Sequence, residues 1–307
     1  MAGLTLSQLT IGYRNKTREE RLFENLNLHL APGQLVCFMG PNGIGKSTLL
    51  RTLAGLHSPL SGTMTSVTPA EVAIVLTEKI QTPHLTVREL IALGRYPYLE
   101  WHVTLRETDQ AIVEKCLRQV RMEKLADKKL LELSDGQLQM ALIGRALAQT
   151  TPVLLLDEPT AHLDLNNRVE IMNLLRHLAR EEQKAILVAT HELDLALQTA
   201  DRIWLALGKN IVQGIPEDLV LNGAFDDVFQ LKGFDLKTGK VQHEPYRQRT
   251  IQLQGEGYHY LWTKNALERE GFEVTSHARE IVSIDDSGWN YQGKTYRNLE
   301  MLIQSLS

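Results

Sequence analysis

The sequence predicts an α/β fold with a buried parallel sheet, followed by a small α+β module, and three features predict it. Gln34-Leu35-Val36-Cys37-Phe38-Met39 reads as a buried strand that passes through a glycine-rich loop into the helical run Leu49-Leu50-Arg51-Thr52-Leu53. Two later apolar runs, residues 153–156 and 185–190, are short and uninterrupted, as strands covered on both faces are. After Gly239 a polar stretch with Pro245 gives way to a second compact pattern.

Residues 4–30 alternate apolar and polar positions in two runs around Arg14-Asn15-Lys16-Thr17, which predicts antiparallel strands. Residues 34–70 carry the glycine-rich loop, its helix and a strand pair, and residues 72–76 a short strand. From Thr86 to Gln149 the pattern is helical; Ile112, Val113, Leu117 and Val120 share one face. Beyond Pro152 the order is strand, helix, strand. Asn166 is expected to cap a helix with Val169, Met172, Leu175 and Leu178 at helical spacing, and residues 202–207 lead to a turn at Gly208. In the tail, residues 250–253, 272–274 and 281–284 read as strands and 258–270 and 298–306 as helices. Residues 289–296 read as a hairpin around Gly293. The boundaries expected are 1–235 for the main domain, with a helical subdomain at about 86–150, and 236–307 for the tail module. The compact pattern within it, from Thr250 on, has roughly 60 residues, near the lower size for an independent core.

The loop itself is Gly40-Pro41-Asn42-Gly43-Ile44-Gly45-Lys46-Ser47-Thr48, a G-x-x-x-x-G-K-[ST] sequence in the strand–loop–helix setting that a phosphate loop needs. Its glycines let successive N–H groups face one anion, and the positive end of the following helix adds to that field. Lys46 is then a counter-charge for β- and γ-phosphates, and Ser47 a ligand for Mg²⁺. Far downstream, Val153-Leu154-Leu155-Leu156 ends in Asp157-Glu158, with Pro159 stopping the strand. Asp157 suits the metal, while Glu158, pointing elsewhere, suits a general base that orients and deprotonates a water. The strand at 185–190 ends in His191, placed to contact a γ-phosphate at the mouth of a parallel sheet. Between them stands Leu133-Ser134-Asp135-Gly136-Gln137, whose S-x-x-Q spacing is also that of a capping box.

These motifs, in this order over roughly residues 4–214, resemble the nucleotide-binding subunit of ATP-binding-cassette (ABC) proteins. The resemblance implies an ABC-type P-loop NTPase core with an antiparallel β subdomain and a helical subdomain, with ATP and Mg²⁺ as cofactors. It makes Ser134, Asp135, Gly136 and Gln137 the signature sequence, which contacts the ATP held by a second copy. Asp157 becomes the Mg²⁺-site acid, Glu158 the catalytic base and His191 the switch histidine. Asp164 falls in the loop that crosses between subunits, and Tyr13 where the family stacks an aromatic ring on adenine. Two positions depart from the pattern. Asp135 replaces a glycine, which aspartate's tolerance of left-handed backbone angles accommodates. Spacing places Glu78 in the seat of the family's metal-reaching glutamine, with Gln81 the alternative.

Composition agrees. A charged content of 23% and a hydrophobic content of 43% are ordinary for a globular protein. The net charge of −4 gives no general affinity for nucleic acid or acidic lipid. Cys37 and Cys116, both in core patterns, read as buried thiols of a reducing compartment. No apolar run is long enough to span a bilayer and the first residues lack signal-peptide character, so the expected place is the cytoplasmic face of the cell membrane, peripherally, through a partner.

The run Leu85-Thr86-Val87-Arg88-Glu89-Leu90-Ile91-Ala92-Leu93-Gly94-Arg95-Tyr96-Pro97-Tyr98 resembles the ATPases of bacterial importers for iron–siderophore, haem and cobalamin. That resemblance implies permease subunits and a second copy of the chain as partners, and a periplasmic binding protein indirectly. The alternative is the ATPase of an exporter or another non-importer ABC system. Arg95, Tyr96 and Tyr98 are then either permease contacts or an ordinary helix end with Pro97 as breaker. In the tail, Tyr258, Tyr260, Trp262, Trp289 and Tyr291 are expected as core and dimer contacts rather than a ligand site. His243, His259 and His277 lack metal-ligand spacing and are expected at the surface.

Overall fold

The computed structural model describes residues 3–14, 18–65, 68–76, 84–99, 104–229, 234–236, 240–241, 246–285 and 288–306. The chain divides into two units, Met1–Gln230 and Leu231–Ser307, five residues before the boundary expected from sequence.

The first unit begins with β1 (Leu4–Arg14), β2 (Glu19–Leu30), β3 (Leu35–Met39), α1 (Lys46–Leu53), β4 (Ser61–Thr65) and β5 (Val72–Val75). There follow α2 (Val87–Ala92), α3 (Glu107–Gln119) and α4 (Asp135–Leu147), then β6 (Val153–Asp157), α5 (Leu165–Glu182), β7 (Ala185–Ala189) and α6 (Leu193–Thr199). It closes with β8 (Arg202–Leu207), β9 (Asn210–Gly214), α7 (Pro216–Leu221) and α8 (Ala224–Phe229). Strands β2, β1 and β4 form an antiparallel sheet. The main sheet runs β5, β6, β7, β3, β8, β9 and is parallel except for β9. Every residue of β3, β6 and β7 is buried, which is why their sequences are unbroken apolar runs. Phe23 and Leu26 of β2 join Phe38, Leu155, Leu187 and Trp204 in one core that ties the two sheets together. Cys37 and Cys116 are free buried thiols, pushed by burial to about 12 and about 11, so they stay protonated.

Two helix starts correct or extend the sequence reading. The cap of α5 is Asp164, not Asn166: Asp164 has extended backbone and its carboxylate accepts from the Asn167 N–H at 2.9 Å, while Asn166 already lies in the first turn. Helix α2 carries a capping box of Thr86 and Glu89, the Thr86 N–H donating to Glu89 Oε2 at 2.8 Å.

Arg95 is only 6% exposed and faces the interior of the helical region. It donates from Nε to Asp109 Oδ1 at 2.9 Å and from Nη1 to the Ala148 carbonyl at 2.8 Å, so it clamps α3 and the end of α4 together. Its guanidinium also lies 4.1 Å from the centre of the Tyr98 ring, whose hydroxyl donates to the Gln149 carbonyl at 2.6 Å. Tyr96 and Tyr98 remain about half exposed. Of the three residues offered as permease contacts, Arg95 is therefore turned the wrong way.

The second unit contains β10 (Phe234–Asp235), β11 (Lys240–Val241), β12 (Thr250–Gln254), α9 (Gly257–Arg269), β13 (Glu273–Thr275), β14 (Glu280–Asp285), β15 (Gly288–Tyr291), β16 (Lys294–Tyr296) and α10 (Leu299–Leu306). Its larger sheet runs β13, β12, β14, β15, β16, with β12 parallel to both neighbours. Tyr291 belongs to its core, and Tyr260 and Trp289 pack against it. Tyr258 and Trp262 do not: they stand 83% and 65% exposed. His259 and His277 are exposed, and His243 lies outside the described residues.

The Arg95 guanidinium, with the Arg106 N–H, holds the Asp109 carboxyl below its ordinary value of 3.8. A carboxylate so depressed contributes stability that is complete above that ordinary value and is lost as pH falls through the folded value. Arg95→Met is thus expected to lower the thermal midpoint by several degrees at pH 7. The difference from wild type should shrink as pH falls below about 3.8. Thermal unfolding by circular dichroism at both pH values checks it; an unchanged difference would place the cost elsewhere.

Candidate functional site

Three neighbouring strands of the main sheet build the site. Because β6, β7 and β3 lie side by side and point the same way, the loops leaving their carboxyl ends converge, as they do at the ligand-binding edge of open α/β sheets. The ladder continues past the strands. The Glu158 N–H donates to the Ala189 carbonyl at 2.9 Å, and the Thr190 N–H to the Phe38 carbonyl at 3.0 Å. Those two bonds fix the loop after each strand to its neighbour.

The phosphate loop leaves β3 and enters α1 with Gly45 in the cap position at φ +110°, where a side chain would be strained and would press on Leu22. Gly43, at φ +79°, faces open space. Asn42, Gly43, Gly45, Lys46, Ser47, Thr48, Asp157 and Glu158 line one open cleft of about 290 Å³. Lys46 is nearly buried and donates from Nζ to the carbonyls of Gly40 at 2.8 Å and Pro41 at 3.3 Å. Burial lowers its pKa, while the Glu158 and Asp157 carboxylates pull it back up. Asp157 is 5% exposed at the end of β6, and Ser47 lies in the first turn of α1. A hydroxyl and a carboxylate in one cleft are the hard oxygen donors that Mg²⁺ prefers, so the donor set fits that ion.

Glu158 has φ +49°, a conformation that a non-glycine residue adopts only under constraint, and the Ala189 hydrogen bond supplies one. Its Oε2 lies 2.6 Å from His191 Nδ1. His191 is itself half exposed. Thus the carboxylate expected as base and the expected switch histidine meet directly. Tyr13 is 46% exposed, and its hydroxyl lies 2.8 Å from Thr48 Oγ1 at the start of α1. Its ring is therefore held beside the phosphate loop, in an edge contact with the His57 ring at 6.4 Å between centroids.

The signature residues are elsewhere. None of Ser134, Asp135, Gly136 and Gln137 lines the cleft. Ser134 and Gln137 do form the capping box, with the Gln137 N–H donating to Ser134 Oγ at 3.3 Å and the Ser134 N–H to Gln137 Oε1 at 3.1 Å. Asp135 occupies an ordinary first helical turn and has no positive φ. Gly136 packs so tightly on α5 that an added Cβ would stand 2.7 Å from Asn167 Cγ. Asp164 is held as the α5 cap by Asn167, whose Nδ2 donates to Asp164 Oδ2 at 2.8 Å. Glu78 and Gln81 both lie outside the described residues. Sequence reading passed over Arg168 and Glu192, which pair at 2.8 Å beside His191. Their only signal was opposite charge next to two motifs.

Comparison with known proteins follows this geometry. The ABC transporter family matches residues 23–161, and the iron ABC transporter C-terminal domain matches residues 248–307. The achromobactin transport ATP-binding protein of Dickeya dadantii is 36% identical over 75% of this chain and 89% of its own length. The ferric enterobactin transport ATP-binding protein of Escherichia coli is 35% identical over 76% and 89%. Among solved structures, a bacterial ABC transporter cassette in dimeric form superposes with a TM-score of 0.59 at 27% identity, over 69% of this chain and 98% of that one.

Lys46→Ala removes a charge-assisted donor that no neighbour replaces. Such bonds contribute about 1.5–3 kcal/mol, so affinity for ATP should fall about tenfold to a hundredfold. Equilibrium titration with a fluorescent ATP analogue measures it, and affinity within twofold of wild type would remove Lys46 from phosphate binding.

Proposed function

This chain belongs to the family of ABC transporter ATP-binding subunits, and from that premise we propose that it powers an importer of iron–siderophore, haem or cobalamin-type cargo. The match of residues 248–307 to the iron ABC transporter C-terminal domain carries the importer reading over an exporter. The ATPase works on the membrane's cytoplasmic side as a pair of copies docked on permease subunits, with a periplasmic binding protein delivering the cargo. No helix among the described residues is long and apolar enough to cross a membrane, so the permease supplies the channel.

The mechanism follows from the cleft. Backbone N–H groups of the loop from Gly40 to Thr48 and the Lys46 ammonium bind the phosphates, and Tyr13 stacks on adenine. Ser47 and Asp157 would hold Mg²⁺, which would supply positive charge against the phosphates. Glu158 takes a proton from the attacking water at the γ-phosphate. His191 orients the Glu158 carboxylate across their 2.6 Å contact and reaches the γ-phosphate with its other nitrogen. Ser134, absent from its own cleft, completes the site of the second copy, with Asp164 of the crossing loop beside it.

Glu158→Gln is expected to bind Mg-ATP and lose turnover by about two to four orders of magnitude. It should accumulate as an ATP-dependent dimer in size-exclusion chromatography. Hydrolysis within threefold of wild type would take the base role from Glu158. For the cargo, cells lacking the chain should lose uptake of a radiolabelled iron chelate or cobalamin and regain it with wild type but not Glu158→Gln. Uptake unaffected by the deletion would favour the exporter alternative. For the metal-reaching seat, Glu78→Ala should uncouple hydrolysis from transport at unchanged ATP affinity, with Gln81→Ala as control. The reverse pattern would move the seat to Gln81.

A further inference from the structure

Helix α5 begins where three functional segments come together; its first turn bonds to the loop before it and to the one after β7, and packs on the start of α4. Asp164 caps it. Asn167, bonded to Asp164 at 2.8 Å, is the surface on which Gly136 of the signature helix rests, so close that no Cβ fits between. Arg168, one residue on, reaches the other way. Its Nε donates to the Leu163 carbonyl at 2.6 Å, and its Nη1 donates to the Glu192 carboxylate at 2.8 Å. Glu192 follows the switch histidine directly. Its N–H donates to Thr190 Oγ1 at 3.0 Å, and its Oε1 lies 4.0 Å from His191 Nε2. Arg168 and Glu192 are both largely shielded, at 31% and 18% side-chain exposure, so the pair is screened less than a surface ion pair.

We propose that Arg168 is a positioning residue: together with Asn167 it couples the switch histidine of one ATP site to the signature helix that serves the other. The proposal rests on the composite-site reading given above and deepens it. The argument is mechanical. A γ-phosphate that draws His191 Nε2 toward it, with Nδ1 still on Glu158, takes that nitrogen from beside Glu192, whose Oε1 lies 4.0 Å away, and so acts on Glu192 as well. Glu192 is tied through Arg168 to the Leu163 carbonyl and the start of α5. The same turn carries Asn167, against which Gly136 has no slack, so a shift there is passed to Ser134 at the start of α4. The structure thus joins the two half-sites that one copy contributes to different nucleotides. A packed contact without play transmits displacement, where a loose one absorbs it.

The experiment uses the full chain carrying Glu158→Gln, which holds ATP without consuming it. Two quantities are read: affinity of the monomer for a fluorescent ATP analogue, and the ATP concentration at half-maximal dimer in sedimentation velocity. Coupling energies between sites usually correspond to about 5- to 150-fold. Adding Arg168→Met should therefore raise the dimerisation midpoint about tenfold, with monomer affinity unchanged within twofold. Glu192→Met should do the same, and the two together should be no worse than the worse single variant, since both break one link. Arg168→Lys, which keeps a donor to Glu192, should recover part of the loss. A midpoint unchanged by Arg168→Met overturns the proposal, and so do additive effects of the two substitutions or an equal loss in monomer affinity. A Glu158→Gln chain that forms no ATP-dependent dimer at all overturns the composite-site reading first, and the coupling with it.

Discussion

Parallel pairing of β6, β7 and β3 is the constraint from which the site follows. Strands that point the same way end at the same edge, so a loop rich in glycine, a carboxylate pair and a histidine meet although more than 100 residues separate the first from the second. The pairing does not stop at the last strand residue. Glu158 and Thr190 each donate a backbone bond to the neighbouring strand, which carries the register of the sheet into the candidate site. A slip of one residue would part the Glu158 N–H from the Ala189 carbonyl and the Thr190 N–H from the Phe38 carbonyl.

Around this edge the chain distributes strain and slack unevenly. Glu158 sits at a positive φ held by its bond to Ala189, and Gly45 takes a backbone angle that only glycine takes without cost. Tyr13, in contrast, is held through its hydroxyl and an edge contact with the His57 ring, and stays 46% exposed. Under the proposed function, the rigid groups are those that meet phosphate and water at defined distances, and the half-exposed ring is the one that meets a flat base, where stacking tolerates small rotations.

Much of this was readable from sequence because the phosphate loop, the carboxylate pair and the capping boxes are local devices: their residue types and spacing are the mechanism. The main sheet was legible for a similar reason, since strands buried on both faces have no polar positions. What escaped was non-local. Arg95 looks like a surface residue at a helix end until Asp109, 14 residues on, and the Ala148 carbonyl, 53 residues on, are brought to it. Asn166 has a good capping side chain, but Asp164 holds the extended backbone that a cap requires, and spacing alone did not separate them. Tyr258 and Trp262 are aromatic in a small module and so read as core, whereas their side of α9 is left uncovered.

The carbonyls of Gly40 and Pro41 that hold Lys46 give the loop a chemical character of its own. Where the ammonium stands is therefore set by the loop's own backbone, two carbonyls at 2.8 and 3.3 Å. A change in the loop's conformation moves the charge together with the amides, so cation and N–H groups are not independent parts.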